Sequence, residues 1–252
     1  MNKSPQELFG KELGDIIEEN CQKCVDSKKS ITYEERQFLP SGEHIWLTTL
    51  TPIIEEDRVS YIVGSSTDIT ERRKLELELE KSANYDKLTG LPNRRLFFER
   101  LEQTVLDSEV ENQKFALLFI DLDGFKYIND NHGHVFGDEV LTIVGKRLIE
   151  CVRKTDTVAR MGGDEFTVLI KNIEDKEIVE KIAKKIQDLL QEVMHIQDYE
   201  CRINSSIGIA IFPSNGKDSE TLLRKADASM YEVKRKGNGG YMFSNDLVSD
   251  SK

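Results

Sequence analysis

The chain has 252 residues, enough for one sizeable core plus a smaller domain or for two modest domains. Hydrophobic residues make up 38% and charged residues 32%, a soluble globular balance rather than a disordered one. A formal charge of −11 with pI ≈ 5.0 excludes the basic stripes that non-specific nucleic-acid binding requires, yet leaves room for a nucleotide substrate whose phosphates are offset by a metal ion and a few local bases.

The N-terminal region is rich in Lys and Glu and carries no apolar stretch, so no signal peptide is expected. The longest apolar runs, near 115–120 and 207–212, are too short to span a bilayer. Four cysteines are present. Cys21 and Cys24 form a CxxC, but a structural zinc site needs a second pair, so they read as incidental thiols in a reducing, cytoplasmic setting.

Residues 1–26 carry a helical pattern through Leu8, Leu13, Ile16 and Ile17. Residues 31–39, 44–54 and 58–67 read as three antiparallel strands, with turns at Ser41-Gly42-Glu43 and Glu55-Glu56-Asp57. A charged helix follows over 68–85, with Thr70 as N-cap. Ile69, Leu75, Leu79 and Ser82 give it a rough three-and-four spacing, which fits either a solvated linker or a signalling helix that pairs across a dimer.

From residue 86 the pattern is α/β. A helix is expected over 93–106, and Phe115–Ile120 is a continuous apolar strand of the kind buried on both faces. A helix over 136–152 comes next, then strands 157–161 and 165–170 joined by Gly162-Gly163-Asp164. The chain continues with a helix over 175–193, a strand over 202–212, a helix over 219–236 that Gly237 breaks, and an edge strand at Tyr241-Met242-Phe243.

Two acidic clusters stand at the ends of apolar runs: Asp121-Leu122-Asp123 and Asp164-Glu165. If the hairpin neighbours the strand, Asp121 and Asp164 can share a magnesium ion, with the Leu122 carbonyl completing the protein ligands. Gly162 and Gly163 permit positive φ and let backbone and ligand approach closely; an ordinary tight hairpin would use them too. Asn129 and Asp138 pair an amide with a carboxylate, which suits a guanine edge, although Asp138 also suits a helix N-terminus. Lys126 can reach phosphate or brace the acids. Lys234, Arg235 and Lys236 suit the helix dipole, and Lys234 can reach a triphosphate. His132 and His134 lack the partners that zinc requires.

Residues from about 83 to 243 resemble the GGDEF family of diguanylate cyclases. The resemblance rests on Asp86-Lys87-Leu88-Thr89-Gly90-Leu91-Pro92-Asn93-Arg94, the Asp121 strand exit, Ile128-Asn129-Asp130-x-x-Gly133-His134-x-x-Gly137-Asp138, the Gly162–Phe166 signature, Ser206-Ile207-Gly208, and Ala226-Asp227 through Lys234. It implies a mostly antiparallel central sheet flanked by helices, related to nucleotidyl cyclases and polymerase palms. It further implies a nucleotidyltransferase that condenses two GTP into cyclic di-GMP and two pyrophosphates, as a homodimer, with magnesium or manganese. In that pattern Asp121, the Leu122 carbonyl and Asp164 hold metal. Glu165 is the neighbouring acid, for metal or for activating the 3′-hydroxyl. Asn129 and Asp138 read guanine, and Lys126 and Lys234 contact phosphate. Arg153-Lys154-Thr155-Asp156 matches the family's inhibitory site for cyclic di-GMP, so product inhibition is expected. After the last helix the chain has Asn238 where the family often has arginine, and Arg235 is the candidate to compensate. A domain that binds GTP or cyclic di-GMP without turnover is the main rival, and a structural dimeriser the second.

Residues 1–70 resemble the C-terminal part of a PAS domain. The marks are Glu34-Glu35-Arg36 through Gly42, then Trp46, Pro52, Tyr61-Ile62-Val63-Gly64 and Asp68-Ile69-Thr70-Glu71-Arg72-Arg73. The two strands that usually precede its helices are not evident, so no ligand pocket is expected. The resulting organisation is a partial PAS region over 1–70, a linker helix over 71–85 and a GGDEF domain over 86–245.

Overall fold

The computed structural model describes residues 5–237 and 239–245. The chain divides into two compact units, Met1–Glu80 and Lys81–Lys252, each with a sheet of its own.

The first unit opens with α1 (Pro5–Phe9) and α2 (Lys11–Ser27). The single helical pattern over 1–26 is therefore two helices, because Gly10 takes φ 82 between them. Strands β1 (Ile31–Leu39), β2 (Gly42–Glu55) and β3 (Arg58–Asp68) form an antiparallel sheet in the order β1-β2-β3. The first turn lies at Pro40-Ser41, just ahead of the expected Gly42. Glu56 and Asp57 both take positive φ, the two-residue turn whose twist matches the strands. Helix α2 packs on this sheet through fully buried Cys24, whose thiol donates to the Leu50 and Lys29 carbonyls. The four cysteines are free thiols.

Helix α3 (Thr70–Asn84) follows. Its capping carboxylate is that of Asp68, which accepts from the Thr70 amide at 2.9 Å and the Thr70 hydroxyl at 2.5 Å. Thr70 instead accepts from the Ile45 amide, tying the helix start to β2. The Thr70 hydroxyl, the Thr70 amide and His44 hold the Asp68 carboxyl down at about 2.

The second unit comprises α4 (Arg94–Glu111), β4 (Phe115–Asp123), α5 (Phe125–His132), α6 (His134–Cys151), β5 (Thr157–Gly162) and β6 (Glu165–Ile170), then α7 (Lys176–Gln191), β7 (Met194–Ile196), β8 (Tyr199–Cys201), β9 (Asn204–Phe212), α8 (Ser219–Lys236) and β10 (Gly240–Phe243). Its main sheet has the order β10-β9-β4-β6-β5, antiparallel except for the β10 and β9 pair. Helix α5 and the small β7–β8 hairpin are elements that the sequence pattern did not reveal.

Alternation along β4 makes three layers. Phe115, Leu117 and Phe119 pack with Phe97 and Leu101 of α4 and with Leu222, Ala226 and Met230 of α8. Ala116, Leu118, Ile120 and Leu122 pack with Val140 and Val144 of α6 and with Val179 and Ile186 of α7. Each large side chain so buried contributes about 1.5–3 kcal/mol of transfer free energy. The same alternation carries Asp121 and Asp123 onto the α4 and α8 face.

Gly208 of β9 sets how close α8 comes. A Cβ there would lie 1.9 Å from the Ala226 carbonyl oxygen and 2.3 Å from the Met230 amide nitrogen. Only glycine lets this helix settle against the strand backbone.

Candidate active site

The site forms where the buried centre of the sheet ends. Asp121 pairs with Glu165 of β6 on one side and Ser206 of β9 on the other. The Leu122 amide donates to the Asp164 carbonyl at 3.3 Å, so the turn at Gly163-Asp164 is tied directly to β4. The β5 and β6 register slips between Arg160 and Gly162. Gly162 at φ 143 and Gly163 at φ 53 supply the angles for that irregular turn, and an added Cβ at either would meet no protein atom.

Arg160 holds the turn from behind. Its Nε and Nη2 donate to the Gly163 carbonyl at 3.0 and 2.8 Å, and its Nη1 donates to both Asp86 carboxylate oxygens at 3.1 and 3.2 Å. Asp86 also accepts from the Thr89 hydroxyl and amide. Burial works to raise the Asp86 pKa, but Thr89 and Arg160 outweigh it and hold the carboxyl below its ordinary value. No role for Asp86 and Arg160 was read from the sequence, where they lie 74 positions apart.

Lys234 comes from the last turn of α8, and its Nζ donates to Asp121 Oδ1 at 2.7 Å. Burial raises the Asp121 pKa; Lys234 opposes this, while Asp164 and Asp123 add to it. Burial likewise raises Glu165, reinforced by Asp121, Asp164 and Asp227 and opposed by Arg94. Burial acts to lower Lys234, but the Asp121, Asp164 and Asp123 carboxylates hold it above its usual value. The structure thus brings Asp121, Asp164, Glu165 and Lys234 into one electrostatic cluster, and adds Asp123, Asp227 and Arg94. Asp123 Oδ1 accepts from the Ser206 hydroxyl at 2.8 Å, while its buried Oδ2 has no hydrogen-bond partner among the described residues.

Among the described residues, no three His, Cys, Asp or Glu side chains form a metal cage. The donor set is smaller: strand-end and turn carboxylates beside a backbone carbonyl. It suits a hard divalent ion that takes its other ligands from phosphate and water. The upward pull of the clustered carboxylates on each other's pKa values marks a place where a cation is favoured, and the Lys234 ammonium occupies one such position on Asp121.

Asn129 of α5 and Asp138 of α6 are brought together by Gly137. A Cβ at 137 would fall 1.9 Å from Asn129 Oδ1, so the amide lies against the α6 backbone beside Asp138. Asn129 is half-buried and Asp138 exposed. Lys126 is exposed in the first turn of α5, next to the β4 exit. His132 stacks on Phe136 and meets Tyr199 of β8 edge-on. Arg235 pairs with Glu232 of its own helix at 3.0 Å. Asn238 lies outside the described residues.

Arg153 and Asp156 flank the turn into β5. Both Asp156 oxygens accept from backbone amides, Oδ2 from Arg153 at 2.9 Å and Oδ1 from Lys171 at 3.1 Å, while the Arg153 side chain is exposed.

Residues 83–240 match the family profile described as diguanylate cyclase, GGDEF domain, and residues 1–74 match a PAS fold. The bifunctional diguanylate cyclase/cyclic di-GMP phosphodiesterase MucR of Pseudomonas aeruginosa is 44% identical over 169 residues, which is 66% of this chain and 24% of that protein. The diguanylate cyclase TpbB of the same species is 39% identical over 162 residues, 64% of this chain and 37% of that protein. An uncharacterized signaling protein of Caulobacter vibrioides is 34% identical over 252 residues, 97% of this chain and 31% of that protein. The chain therefore spans 24% to 37% of the length of these relatives. Among solved structures, the GGDEF domain of TpbB aligns with TM-score 0.60 at 37% identity, covering 62% of this chain and 97% of that one. The coiled coil and GGDEF domain of DgcB from Caulobacter crescentus, in complex with c-di-GMP, aligns with TM-score 0.62 at 26% identity, covering 69% and 92%.

Proposed function

The chain belongs to the GGDEF family of diguanylate cyclase domains, with a PAS fold ahead of it, and on that premise we propose that it condenses two GTP into cyclic di-GMP and two pyrophosphates. The observation that carries the reading is the convergence of Asp121, Asp164 and Glu165 with Lys234 at the end of β4. Each domain holds one GTP, so the reaction takes two copies facing one another. The 3′-hydroxyl of each nucleotide attacks the α-phosphorus of the other. Each new P–O bond replaces an α–β bridge, and pyrophosphate leaves with that electron pair.

Asn129 and Asp138 bind the guanine edge: the carboxylate accepts from its N–H groups, and the amide matches a ring acceptor. Lys126 and Lys234 take the phosphates, Lys234 exchanging the Asp121 carboxylate for the triphosphate. Asp121, Asp164 and the Leu122 carbonyl would hold a divalent ion, magnesium or manganese, with Glu165 beside them, and such an ion would supply neutralisation of the triphosphate charge. Glu165, its pKa raised by burial and its acidic neighbours, is the base that receives the 3′-hydroxyl proton. Gly162 and Gly163 leave the turn open for nucleotide, and Arg160 with Asp86 fixes its position. Arg153 and Asp156 form the product site that restrains activity.

Asp164→Ala tests the assignment. Turnover is expected to vanish while the circular dichroism spectrum is unchanged; full activity in that variant would refute the metal site. The rival, a domain that binds nucleotide without turnover, draws on relatives named as phosphodiesterases. PdeR of Escherichia coli is 36% identical over 181 residues. GTP binding with no cyclic di-GMP formed would favour it.

A further inference from the structure

The hairpin of β7 and β8 lies outside the main sheet and contributes no residue to the cyclase chemistry. Met194 and Ile196 root it in the core. Ile196 pairs with Tyr199 across the turn, so the Tyr199 ring stands on the same side of the hairpin as that buried side chain. There it meets the corner between α5 and α6. His132, the last residue of α5, stacks on Phe136 in the first turn of α6, with ring centroids 4.7 Å apart and planes at 27°. Tyr199 packs edge-on against both rings, 5.2 Å from His132 and 6.2 Å from Phe136. One turn further along α6, Gln197 of the hairpin turn donates to Glu139 Oε1 at 3.0 Å.

The corner that the hairpin grips carries Asn129 and Asp138. Asn129 lies one turn before His132 on α5, and Asp138 lies between Phe136 and Glu139 on α6. The two helices are joined by the single residue Gly133, at φ 85, which caps the end of one and the start of the other. Glycine supplies that angle but no side chain to fix the opening between the helices. Reading a base edge needs the amide and the carboxylate held within about 0.5 Å of their productive spacing. The rings that brace the corner are not core residues. Tyr199 is 56% exposed and His132 is exposed, so removing either ring leaves the buried core intact.

We propose that His132 and Tyr199 are positioning residues for base selection: through the stack on Phe136 they hold Asn129 and Asp138 at the spacing that recognises guanine, a role that rests on those two residues reading the base. Neither ring touches the nucleotide. The consequence is selective. A guanine edge offers the Asp138 carboxylate two donors, the ring N1–H and the exocyclic amine, whereas hypoxanthine offers N1–H alone. A two-point contact is the more sensitive to geometry. Loosening the corner therefore weakens guanine nucleotides more than their inosine counterparts, and the preference between them falls. The strength of one aromatic contact limits that fall to about ten-fold.

The test is isothermal titration of the full chain with GDP and IDP, which present the two bases without the triphosphate that reacts, and a melting curve for each variant. The wild-type chain should prefer GDP, and Asp138→Ala should abolish that preference. In His132→Ala and in Tyr199→Ala the preference should fall about three-fold to ten-fold with little change in Tm. His132→Phe and Tyr199→Phe, which keep the rings, should restore it. The double alanine variant should fall no further than the weaker single one, because both rings act through one contact. Tyr199→Ala, at an exposed position, carries the test if His132→Ala fails to fold. A wild-type preference in the alanine variants would overturn the proposal, as would equal weakening of GDP and IDP or no rescue by phenylalanine. No preference in the wild-type chain, or a preference that survives Asp138→Ala, would instead remove the guanine readers themselves, and the proposal with them.

Discussion

Asp121, Asp164 and Glu165 destabilise one another in the absence of a cation, and that conflict is the physical mark of the site. Burial and neighbouring acids raise the Glu165 pKa. The folded chain therefore keeps that proton to a higher pH than the unfolded chain does. Stability is lost as pH rises from the ordinary carboxylate value through the raised one, and the charged form weakens the fold at neutral pH. Glu165→Gln should accordingly raise Tm at pH 7 by a small amount, on the order of 2 °C, while abolishing turnover. The gain should shrink on acidification as the wild-type carboxyl takes up its proton. Scanning calorimetry at several pH values checks this, and a lower Tm for the variant at neutral pH would contradict it.

At the scale of elements, two glycines make contrasting predictions. Gly208 faces helix backbone, so Gly208→Ala forces α8 off β9 at a cost of about 1–3 kcal/mol or more. It should lower Tm and activity together, because Lys234 withdraws from Asp121. Gly137 faces the movable end of Asn129. Gly137→Ala should keep the fold and raise KM for GTP about ten-fold with a smaller change in kcat; steady-state kinetics with a melting curve separates the two. The same elements show what was legible. The apolar run Phe115–Ile120, the strand-end carboxylates and the glycine hairpin are local patterns, and each lies where the periodicity put it. Helix α5 escaped because Asn129, Asp130 and Asn131 are weak helix formers between two glycines; buried Phe125 and Ile128 support it. Strands β7 and β8, three residues each, are too short to show alternation, and burial of Met194 and Ile196 holds them. The Asp86 and Arg160 pair is a product of register and long-range packing, which periodicity does not encode.

At the scale of the whole molecule, the proposed chemistry takes two copies of the chain. Leu75 and Leu79 of α3, four residues apart on one side of the helix, are 57% and 70% exposed, while Leu77, 56% exposed, lies off that stripe. Among the described residues no helix is long and apolar enough to cross a membrane. Product control is tested at Arg153 rather than Asp156, because both oxygens of Asp156 are bound by backbone amides and its removal would disturb the turn into β5. Arg153→Ala should relieve inhibition by cyclic di-GMP without loss of initial rate; an unchanged inhibition curve would remove the site from the account. The central claim rests on one assay, magnesium-dependent conversion of GTP followed by chromatography across a range of protein concentrations. Cyclic di-GMP and pyrophosphate, with specific activity rising with concentration, is the predicted result, and GTP bound without either product at any concentration would contradict it.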